Sequence, residues 1–380
     1  MNMRIAAGLK AFILRLYLSI RGIALFILSV FLQKRGKLFN REDIRKILVI
    51  RMDRLGDFVV TTPLLKALKK EFPSSKITLL AGSDISALAA GQPWIDGIIA
   101  HDRPRDLSSF PALMRRIRRE HFDLVIDCLM DYPVRTAILA YASGALYRLG
   151  FDIANRGVFF NLRVLPSTRK VSMAEETLNL LSGLGITPQI SETQLVVAEE
   201  DKTAINSFLK VQGITGGVFI VGIHPGGFYP SQRWPAERFA DLINRISGDF
   251  DAAVILLGGR NEEGLLRTIK EMAQGRVSIF YAQSLNLLAA LIDRVGIFIG
   301  NNSGPLHMAA ALKKKTVSTM GPTESILWAP SGAGHIVIRK DLDCSPCNRP
   351  VCADHRCMKL ITVDDMFEAV TSQIEMIRGR

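Results

Sequence analysis

The stretch with the clearest chemical potential is Asn301-Asn302-Ser303-Gly304-Pro305-Leu306-His307, which joins an apolar run to a helical pattern. A strand that turns through small polar residues into a helix presents free backbone N–H groups and the positive end of the helix dipole. Both attract phosphate. His307 falls in the first helical turn, on the same rim. The alternative is that Asn302 and Ser303 only cap the helix, and this turn alone does not decide between the two.

A second candidate site is the loop His224–Pro235. Gly226 and Gly227 let a phosphate or a ribose approach the backbone closely, because a glycine has no side chain in the way. Arg233 can neutralise a pyrophosphate. Trp234 is expected to pack in the core rather than to stack on a base. Together with the 301–307 turn, this loop favours a chain that handles a nucleotide or a nucleotide-sugar.

Two further turns carry acidic side chains. Glu262 follows an apolar run, where its carboxylate can accept hydrogen bonds from ribose hydroxyls or simply begin the next helix. The first βα turn reads Arg51-Met-Asp-Arg-Leu-Gly-Asp57. Gly56 permits a tight turn, and Asp57 begins a helix either as a capping carboxylate or as a general base aimed into a cleft. Asp53 is a competing carboxylate in the same turn.

Four of the five cysteines cluster near the end of the chain, at positions 344, 347, 352 and 357. The spacing of Cys344, Cys347, Cys352 and Cys357 is compatible with zinc, but it is less regular than paired Cys-x2-Cys elements. Reduced thiols in an ordinary loop are the favoured interpretation, and the set is only a weak metal candidate. We predict no cofactor. This cysteine usage fits a reducing cytoplasm.

The elements that must position these residues follow from hydrophobic periodicity. From Lys46 onward, short apolar runs alternate with helical patterns, which is typical of parallel strands joined by crossover helices. The series starts again at Val218, after the glycine-rich segment 213–217, which is the strongest hinge signal. We therefore predict an α/β fold with two Rossmann-like, doubly wound domains facing a cleft, where the strand ends place ligands.

Length and composition agree with this organisation. The chain has 380 residues, of which 48% are hydrophobic and 22% charged, so two domains with full cores can form. The predicted segments are an N-terminal arm (1–45), a first domain (46–212), a second domain (213–342), and a Cys-rich loop with a C-terminal helix (343–380).

The net charge of +12 is concentrated in the arm, since residues 1–46 hold ten Lys/Arg against two acidic residues. Nucleic-acid binding by the folded body is therefore not implied. The arm contains the apolar segment Ala11–Leu32, but Arg15 and Arg21 make a bilayer span costly. We predict an apolar, basic helix that anchors the chain at the cytoplasmic face of the inner membrane. A helix packed on the first domain is the alternative.

Taken together, these motifs resemble glycosyltransferase family 9, the ADP-heptose:lipopolysaccharide heptosyltransferases. The resemblance extends from about Lys46 to the C-terminus. It rests on the segments Ile47–Asp57, Thr61–Leu64, Phe122–Asp127, Arg148–Phe151, His224–Pro235, Gly300–His307, Gly321–Thr323 and the Cys-rich stretch.

The resemblance implies a GT-B architecture with an N-terminal acceptor domain and a C-terminal donor domain. It also implies inverting sugar transfer without a metal. Asp57 matches the family's aspartate thought to deprotonate the acceptor hydroxyl. The expected nucleotide-sugar site comprises Gly226, Gly227, Gln232, Arg233, Glu262, Asn302, Ser303, Gly304 and His307.

Two positions depart from the family pattern. Many relatives carry a lysine where this chain has Gln232, so Arg233 is expected to supply the positive charge. Characterised heptosyltransferases have an aspartate where Asn302 stands. An asparagine can still hydrogen-bond to sugar hydroxyls, but the lost charge leaves the donor sugar open.

The leading hypothesis is a membrane-associated glycosyltransferase that moves a heptose or a related sugar from an ADP-sugar to a lipid-linked acceptor of the lipopolysaccharide-core type. One alternative keeps the fold and the reaction but changes the nucleotide-sugar donor. The other is a nucleotide-sugar-binding scaffold without catalysis, which Gln232 and Asn302 favour and Asp57 opposes.

Overall fold

The computed structural model describes residues 17–25, 27, 38–101, 109–130 and 133–379. Within these residues, parallel strands form two six-stranded sheets. The strands of the first sheet are β1 (Lys46–Ile50), β2 (Lys76–Ala81), β3 (Gly97–Ala100), β4 (Leu124–Asp127), β5 (Tyr147–Phe151) and β6 (Leu162–Val164). Those of the second are β7 (Phe219–His224), β8 (Ala252–Gly258), β9 (Val277–Tyr281), β10 (Ile297–Asn301), β11 (Lys315–Thr319) and β12 (His335–Ile338).

Helices alternate with the strands along the chain, as the hydrophobic periodicity predicted. In the first half they are α1 (Leu55–Glu71), α2 (Ser83–Ala90), α3 (Phe110–Arg119), α4 (Arg135–Ala142), α5 (Met173–Asn179) and α6 (Glu199–Val211). In the second half they are α7 (Ala236–Asp249), α8 (Glu263–Met272), α9 (Leu285–Arg294), α10 (Gly304–Ala311), α11 (Ser325–Trp328), α12 (Arg356–Lys359) and α13 (Val363–Arg378).

The two sheets share one topology. The first has the order β3-β2-β1-β4-β5-β6 and the second the order β12-β11-β10-β7-β8-β9, which read from β9 is the same pattern. This is the doubly wound order of a Rossmann-type sheet, so the predicted α/β fold is confirmed. The strand order reverses between β1 and β4 in the first sheet and between β7 and β10 in the second. Ligands bind at such reversal points, at the carboxyl ends of the strands.

The central strands are buried on both faces, which explains their continuous apolar runs. Ile47, Leu48, Val49 and Ile50 of β1 have no exposed surface, and helices cover both sides of the sheet. Trp234 is buried in the second domain, where its indole N–H donates to the Ile361 carbonyl at 3.0 Å. The prediction that Trp234 packs in the core is therefore confirmed.

The boundaries predicted for the domains remain a proposal, and two helices bear on them. Helix α6 lies within the range predicted for the first domain, yet Phe208 meets Phe280 of β9 edge-on with ring centroids 5.0 Å apart. Helix α13 packs Met366 and Val370 into the core of the second sheet. The C-terminal helix thus belongs physically to the second half of the molecule.

The predicted N-terminal arm falls mainly outside the described residues. Residues 17–25 and 27 are helical, and Leu25 is buried against the first domain. The Arg21 guanidinium donates to the Ala154 carbonyl at 2.7 Å. A search of the described residues found no helix with the length and apolarity needed to cross a bilayer.

The two halves meet where helix α1 and helix α10 begin. A Cβ added at Gly304 would lie 3.0 Å from the Leu55 side chain, and one added at Gly56 would lie 3.1 Å from His307 Cδ2. Glycine at both positions therefore permits the close approach of the two helix N-termini. This contact brings the end of β1 and the end of β10 to the same cleft.

Candidate active site

Asp57 stands in the first turn of α1 and faces the cleft. Its Oδ2 accepts a hydrogen bond from the Arg54 backbone N–H at 3.1 Å, so the carboxylate does cap the helix. Its Oδ1 lies 3.5 Å from Nη2 of Arg51. The side chain keeps 18% of its surface exposed. Capping and access to a ligand therefore coexist at this residue.

Arg51 is a buried cation behind that carboxylate, and the residue patterns did not single it out. Its side chain is 2% exposed, and it donates from Nη1 to the Cys128 carbonyl at 2.6 Å and from Nε to the Asp57 carbonyl at 3.1 Å. Nη1 also lies 3.4 Å from Oδ2 of Asp53. The buried Arg51 guanidinium thus lies at ion-pair distance from both acidic side chains of the turn, Asp53 and Asp57. The only signal in the sequence is its place at the end of the first strand.

The turn after β10 has the predicted strand–turn–helix arrangement, with a strand that ends at a helix N-terminus. Ser303 occupies the N-cap position of α10, but its hydroxyl makes no capping bond and lies 3.3 Å from Nδ1 of His224. The side chain of Asn302 is half-buried in the cleft wall. A purely structural cap is therefore a poor description of this turn.

His307 is 7% exposed and packs edge-on against Trp328, with ring centroids 6.1 Å apart. Burial lowers the pKa of His307 to about 4, and the nearby Asp57 charge only partly opposes this. The ring is therefore neutral near pH 7. It can hydrogen-bond to a ligand hydroxyl, but it does not supply positive charge.

The glycine loop of the second domain is held by Asn301, which the residue patterns also passed over. The Asn301 amide donates to the carbonyls of Pro225 at 2.7 Å and Gly226 at 2.9 Å, while its oxygen accepts from the Trp234 N–H at 3.0 Å. A Cβ at Gly226 would fall 1.7 Å from a Glu262 oxygen and 2.9 Å from His224 Cε1, so glycine lets these side chains pack directly against the loop. Gly226 shapes the loop, whereas Gly227 lines the cleft.

Glu262 turns into the cleft rather than only starting its helix. Its Oε2 accepts from the Gly259 N–H at 2.9 Å and lies 3.4 Å from Nε2 of His224. Burial by itself would raise the pKa of Glu262, but the hydrogen bond and charge of His224 hold that pKa below its usual value. Glu262 is therefore an ionised acceptor at the end of β8.

Gln232 and Arg233 occupy different environments. The Gln232 amide donates to the Thr323 hydroxyl at 3.1 Å, and its oxygen accepts from the Tyr229 N–H at 3.2 Å. The Arg233 Nε donates to the Gly227 carbonyl at 3.0 Å. Gln232 is thus a neutral, internally bonded wall of the cleft, and Arg233 stands on the neighbouring wall.

Most of these residues line two adjoining cavities. The first, which we name the Asp57 cavity, has a volume of about 190 Å³, and six predicted site residues line it: Asp57, Gln232, Asn302, Ser303, Gly304 and His307. The second, the Glu262 cavity, has a volume of about 870 Å³ and includes Gly227, Arg233 and Glu262 in its walls, with Ser303 and Gly304 common to both. Of these two cavities, Asp53 lines the Glu262 cavity but not the Asp57 cavity. The structure therefore brings Asp57, but not Asp53, together with Asn302.

Arg54 of the first domain contacts two aromatic side chains of the second domain, Phe228 and Tyr229, across the cleft. The Arg54 guanidinium carbon lies 3.4 Å from the ring centroid of Phe228, and Nη2 donates to the Tyr229 hydroxyl at 3.3 Å. Such a cation–π contact tethers the two lobes while the positive charge stays at the cavity mouth. No pattern in the sequence pointed to this pairing.

The geometry does not support a metal site at the four C-terminal cysteines that the sequence offered as a weak candidate. Cys344 is exposed and Cys357 is buried, and all the cysteines are free thiols. Within the described part of the chain, no group of three or more Cys, His, Asp or Glu side chains is placed to hold a metal ion. None of these four cysteines lines either cavity.

Comparisons with known proteins agree with this arrangement. The model of glycosyltransferase family 9 (heptosyltransferase) matches residues 110–357. The chain is 25% identical over 288 residues to lipopolysaccharide heptosyltransferase 3 of Escherichia coli, covering 72% of this chain and 83% of that protein.

Solved structures share the fold. A family 9 glycosyl transferase from Veillonella parvula superposes with a TM-score of 0.78 at 23% identity, covering 87% of this chain and 97% of that one. The ADP-heptose lipopolysaccharide heptosyltransferase II of E. coli gives a TM-score of 0.73 at 19% identity, covering 87% and 99%. Because the family model spans more than half of its residues, this chain belongs to glycosyltransferase family 9 and is a glycosyltransferase.

Proposed function

We propose that this enzyme moves a heptose, or a closely related sugar, from an ADP-sugar to a hydroxyl of a lipid-linked glycan of the lipopolysaccharide-core type. The observation that carries the proposal is the Asp57 cavity, in which one carboxylate of the first domain faces the Asn302–Gly304 turn of the second. The relatives include lipopolysaccharide heptosyltransferases, which supports this donor and acceptor.

The proposed reaction is a single displacement. Asp57 accepts the proton of the acceptor hydroxyl, the oxygen attacks the anomeric carbon, and the bond from that carbon to the diphosphate breaks. ADP leaves with the bonding electron pair, and the configuration at the anomeric carbon inverts. Asp57 is suited to this step because its carboxylate is held between Arg54 and Arg51 and still reaches the cavity.

The second domain is the proposed donor side. The N-terminus of α10 and the amides near Ser303 face the developing negative charge of the departing diphosphate. The neutral ring of His307 and the amide of Asn302 are placed to hydrogen-bond to the sugar, and Glu262 is placed to accept from ribose hydroxyls. Asn302 carries no charge, so it can contribute to sugar selectivity through hydrogen bonds but not through charge.

A transfer assay with the full chain tests the proposal. We expect product when ADP-heptose and a lipid-linked core acceptor are supplied, and much less product when the donor is a UDP- or GDP-hexose. Faster transfer from one of those other donors would replace the donor assignment but keep the reaction. Nucleotide binding without transfer from any donor would instead favour the scaffold, and the proposed function would be abandoned.

We also propose that the chain works at an anionic membrane surface. Ile20, Ile23 and Ile27 lie on the N-terminal helical stretch at helical spacing, and each has more than half of its surface exposed. Leu25 and Arg21 attach the same stretch to the first domain. An apolar row beside a strongly basic segment fits a bilayer that carries anionic lipid, where the acceptor would be embedded.

Sedimentation with vesicles that contain phosphatidylglycerol tests this placement. Replacing Ile20 and Ile23 together with serine removes apolar surface available for insertion, so we expect binding to weaken by about tenfold or more. The matched control is Ile190→Ser, because Ile190 is 83% exposed in the segment between α5 and α6. Equal vesicle binding by the double variant and the wild type would refute the placement.

A further inference from the structure

The Cys-rich loop, residues 344–352, forms one wall of the Asp57 cavity. The Asn348 backbone N–H donates to the Pro322 carbonyl at 2.8 Å, and the Ser231 hydroxyl donates to the Arg349 carbonyl. These bonds attach the loop to two segments that already border the cleft. The main chain of Arg349 is therefore held in place beside the site.

Arg349 itself lines the Asp57 cavity and is free to bind an anion. Its side chain is exposed, and no Asp or Glu within the described ranges lies at ion-pair distance from it. Arg356, seven residues further along the chain, differs in this respect. Its Nε lies 2.6 Å from a carboxylate oxygen of Asp354, and it lines neither cavity.

The cavity needs a cation that Gln232 does not provide. The Gln232 amide is neutral, and both of its ends are bonded within the protein. Arg233, expected from the sequence to compensate, lines the Glu262 cavity but not the Asp57 cavity. The two arginines that do line the Asp57 cavity are Arg54, from the first domain, and Arg349, from the second.

Electrostatics defines what these arginines can recognise. A phosphate placed next to the Asp57 carboxylate is repelled unless positive charge stands nearby. A guanidinium matches two phosphate oxygens at once and keeps its charge at all relevant pH values. The Arg54 guanidinium already contacts the Phe228 ring and donates to Tyr229. The exposed Arg349 side chain has no described Asp or Glu at ion-pair distance and is therefore the less engaged of the two.

We propose that Arg349 is a phosphate-binding residue of the Asp57 cavity, with the Arg54 guanidinium completing the positive mouth. The Cys-rich loop thereby supplies the charge that Gln232 lacks. The inference rests on the proposed function only in taking the substrates to carry phosphate. The donor diphosphate and a phosphate group on the acceptor present the same chemistry, and the experiment below separates them.

The test compares Arg349→Gln with Arg356→Gln in the full chain. Calorimetric titration with ADP and with inorganic pyrophosphate measures binding without any transfer. We expect Arg349→Gln to weaken binding of both by about tenfold or more, as charge-assisted hydrogen bonds are lost. Arg356→Gln should leave both affinities unchanged. Arg349→Lys, which keeps the charge but not the fork, should fall between the two.

A second arm distinguishes the source of the phosphate. If ADP affinity is unchanged but the KM for a phosphorylated acceptor rises, with no such rise for the phosphatase-treated acceptor, the phosphate bound by Arg349 belongs to the acceptor. If Arg349→Gln alters neither ADP affinity nor acceptor KM, the proposal is wrong. Failure of the proposed function gives a different result, namely no sugar transfer by the wild type while the ADP titrations still report on Arg349.

Discussion

Replacing Asp57 with asparagine should reduce kcat for sugar transfer by about 100- to 10,000-fold, which is the usual contribution of a general base. The amide cannot take up the acceptor proton, so the attacking oxygen stays protonated. Its oxygen can still accept the hydrogen bond from the Arg54 N–H, and the start of helix α1 is preserved. ADP affinity should change little, because the nucleotide is expected to bind the second domain.

The choice of asparagine separates the two roles that the sequence left open. Asp57→Ala also removes the cap and should cost about 0.5–2 kcal/mol of unfolding free energy, whereas Asp57→Asn should cost less. Asp53→Asn is the matched control, since Asp53 shares the Arg51 partner but lines the Glu262 cavity and not the Asp57 cavity. If Asp53→Asn loses transfer and Asp57→Asn retains it, the base is Asp53 and our assignment is incorrect.

Replacing Arg51 with methionine should lower the free energy of unfolding by about 3 kcal/mol or more, as expected when one partner of a buried charge group is removed. Methionine fills similar volume but leaves the Asp57 and Cys128 carbonyls without their donor. The carboxylates of Asp53 and Asp57 would also lose the cation between them. Urea unfolding of the purified variant measures this loss.

Activity should report on the same change in a way that stability alone does not. Because the Arg51 guanidinium lies 3.5 Å from one oxygen of Asp57, its loss should change the placement of that carboxylate. We therefore expect kcat to fall while ADP affinity is kept, which marks a positioning residue. Arg356→Met is the control for stability, since the Arg356 side chain is exposed and pairs only at the surface with Asp354, and exposed ion pairs contribute little. Unfolding free energies of Arg51→Met and Arg356→Met that agree within about 0.5 kcal/mol would contradict the structural role given to Arg51.

The α/β architecture could be predicted from the sequence, because buried strands and helices leave a hydrophobic pattern in short stretches of the chain. Strands buried on both faces need unbroken apolar runs, so β1, β4, β7 and β10 were recognisable, and the crossover helices followed from their period. Strand β6 leaves little such signature, because it has three residues and only Val164 is buried. The same holds for helix α2, since eight residues carry too little periodicity to stand out.

Parts of the site were also recognisable from short stretches of the sequence. A small polar turn between strand and helix is chemically suggestive wherever it occurs, which is why the sequence alone points to Asp57, Asn302 and Ser303. The predicted metal candidate was equally local, but the geometry of the described residues does not support it. Spacing along the chain limits which thiols can meet, yet the path of the loop decides whether they do.

The sequence by itself determined the two Rossmann-type halves and the turns at their strand ends, because periodicity and turn residues act over short distances. The tertiary structure alone decided which of those turns share a cavity. Only the packing of α1 against α10 places Asp57 beside Asn302 and buries His307. Likewise, Arg349 reaches this cavity through bonds between segments distant in sequence, which no local pattern encodes.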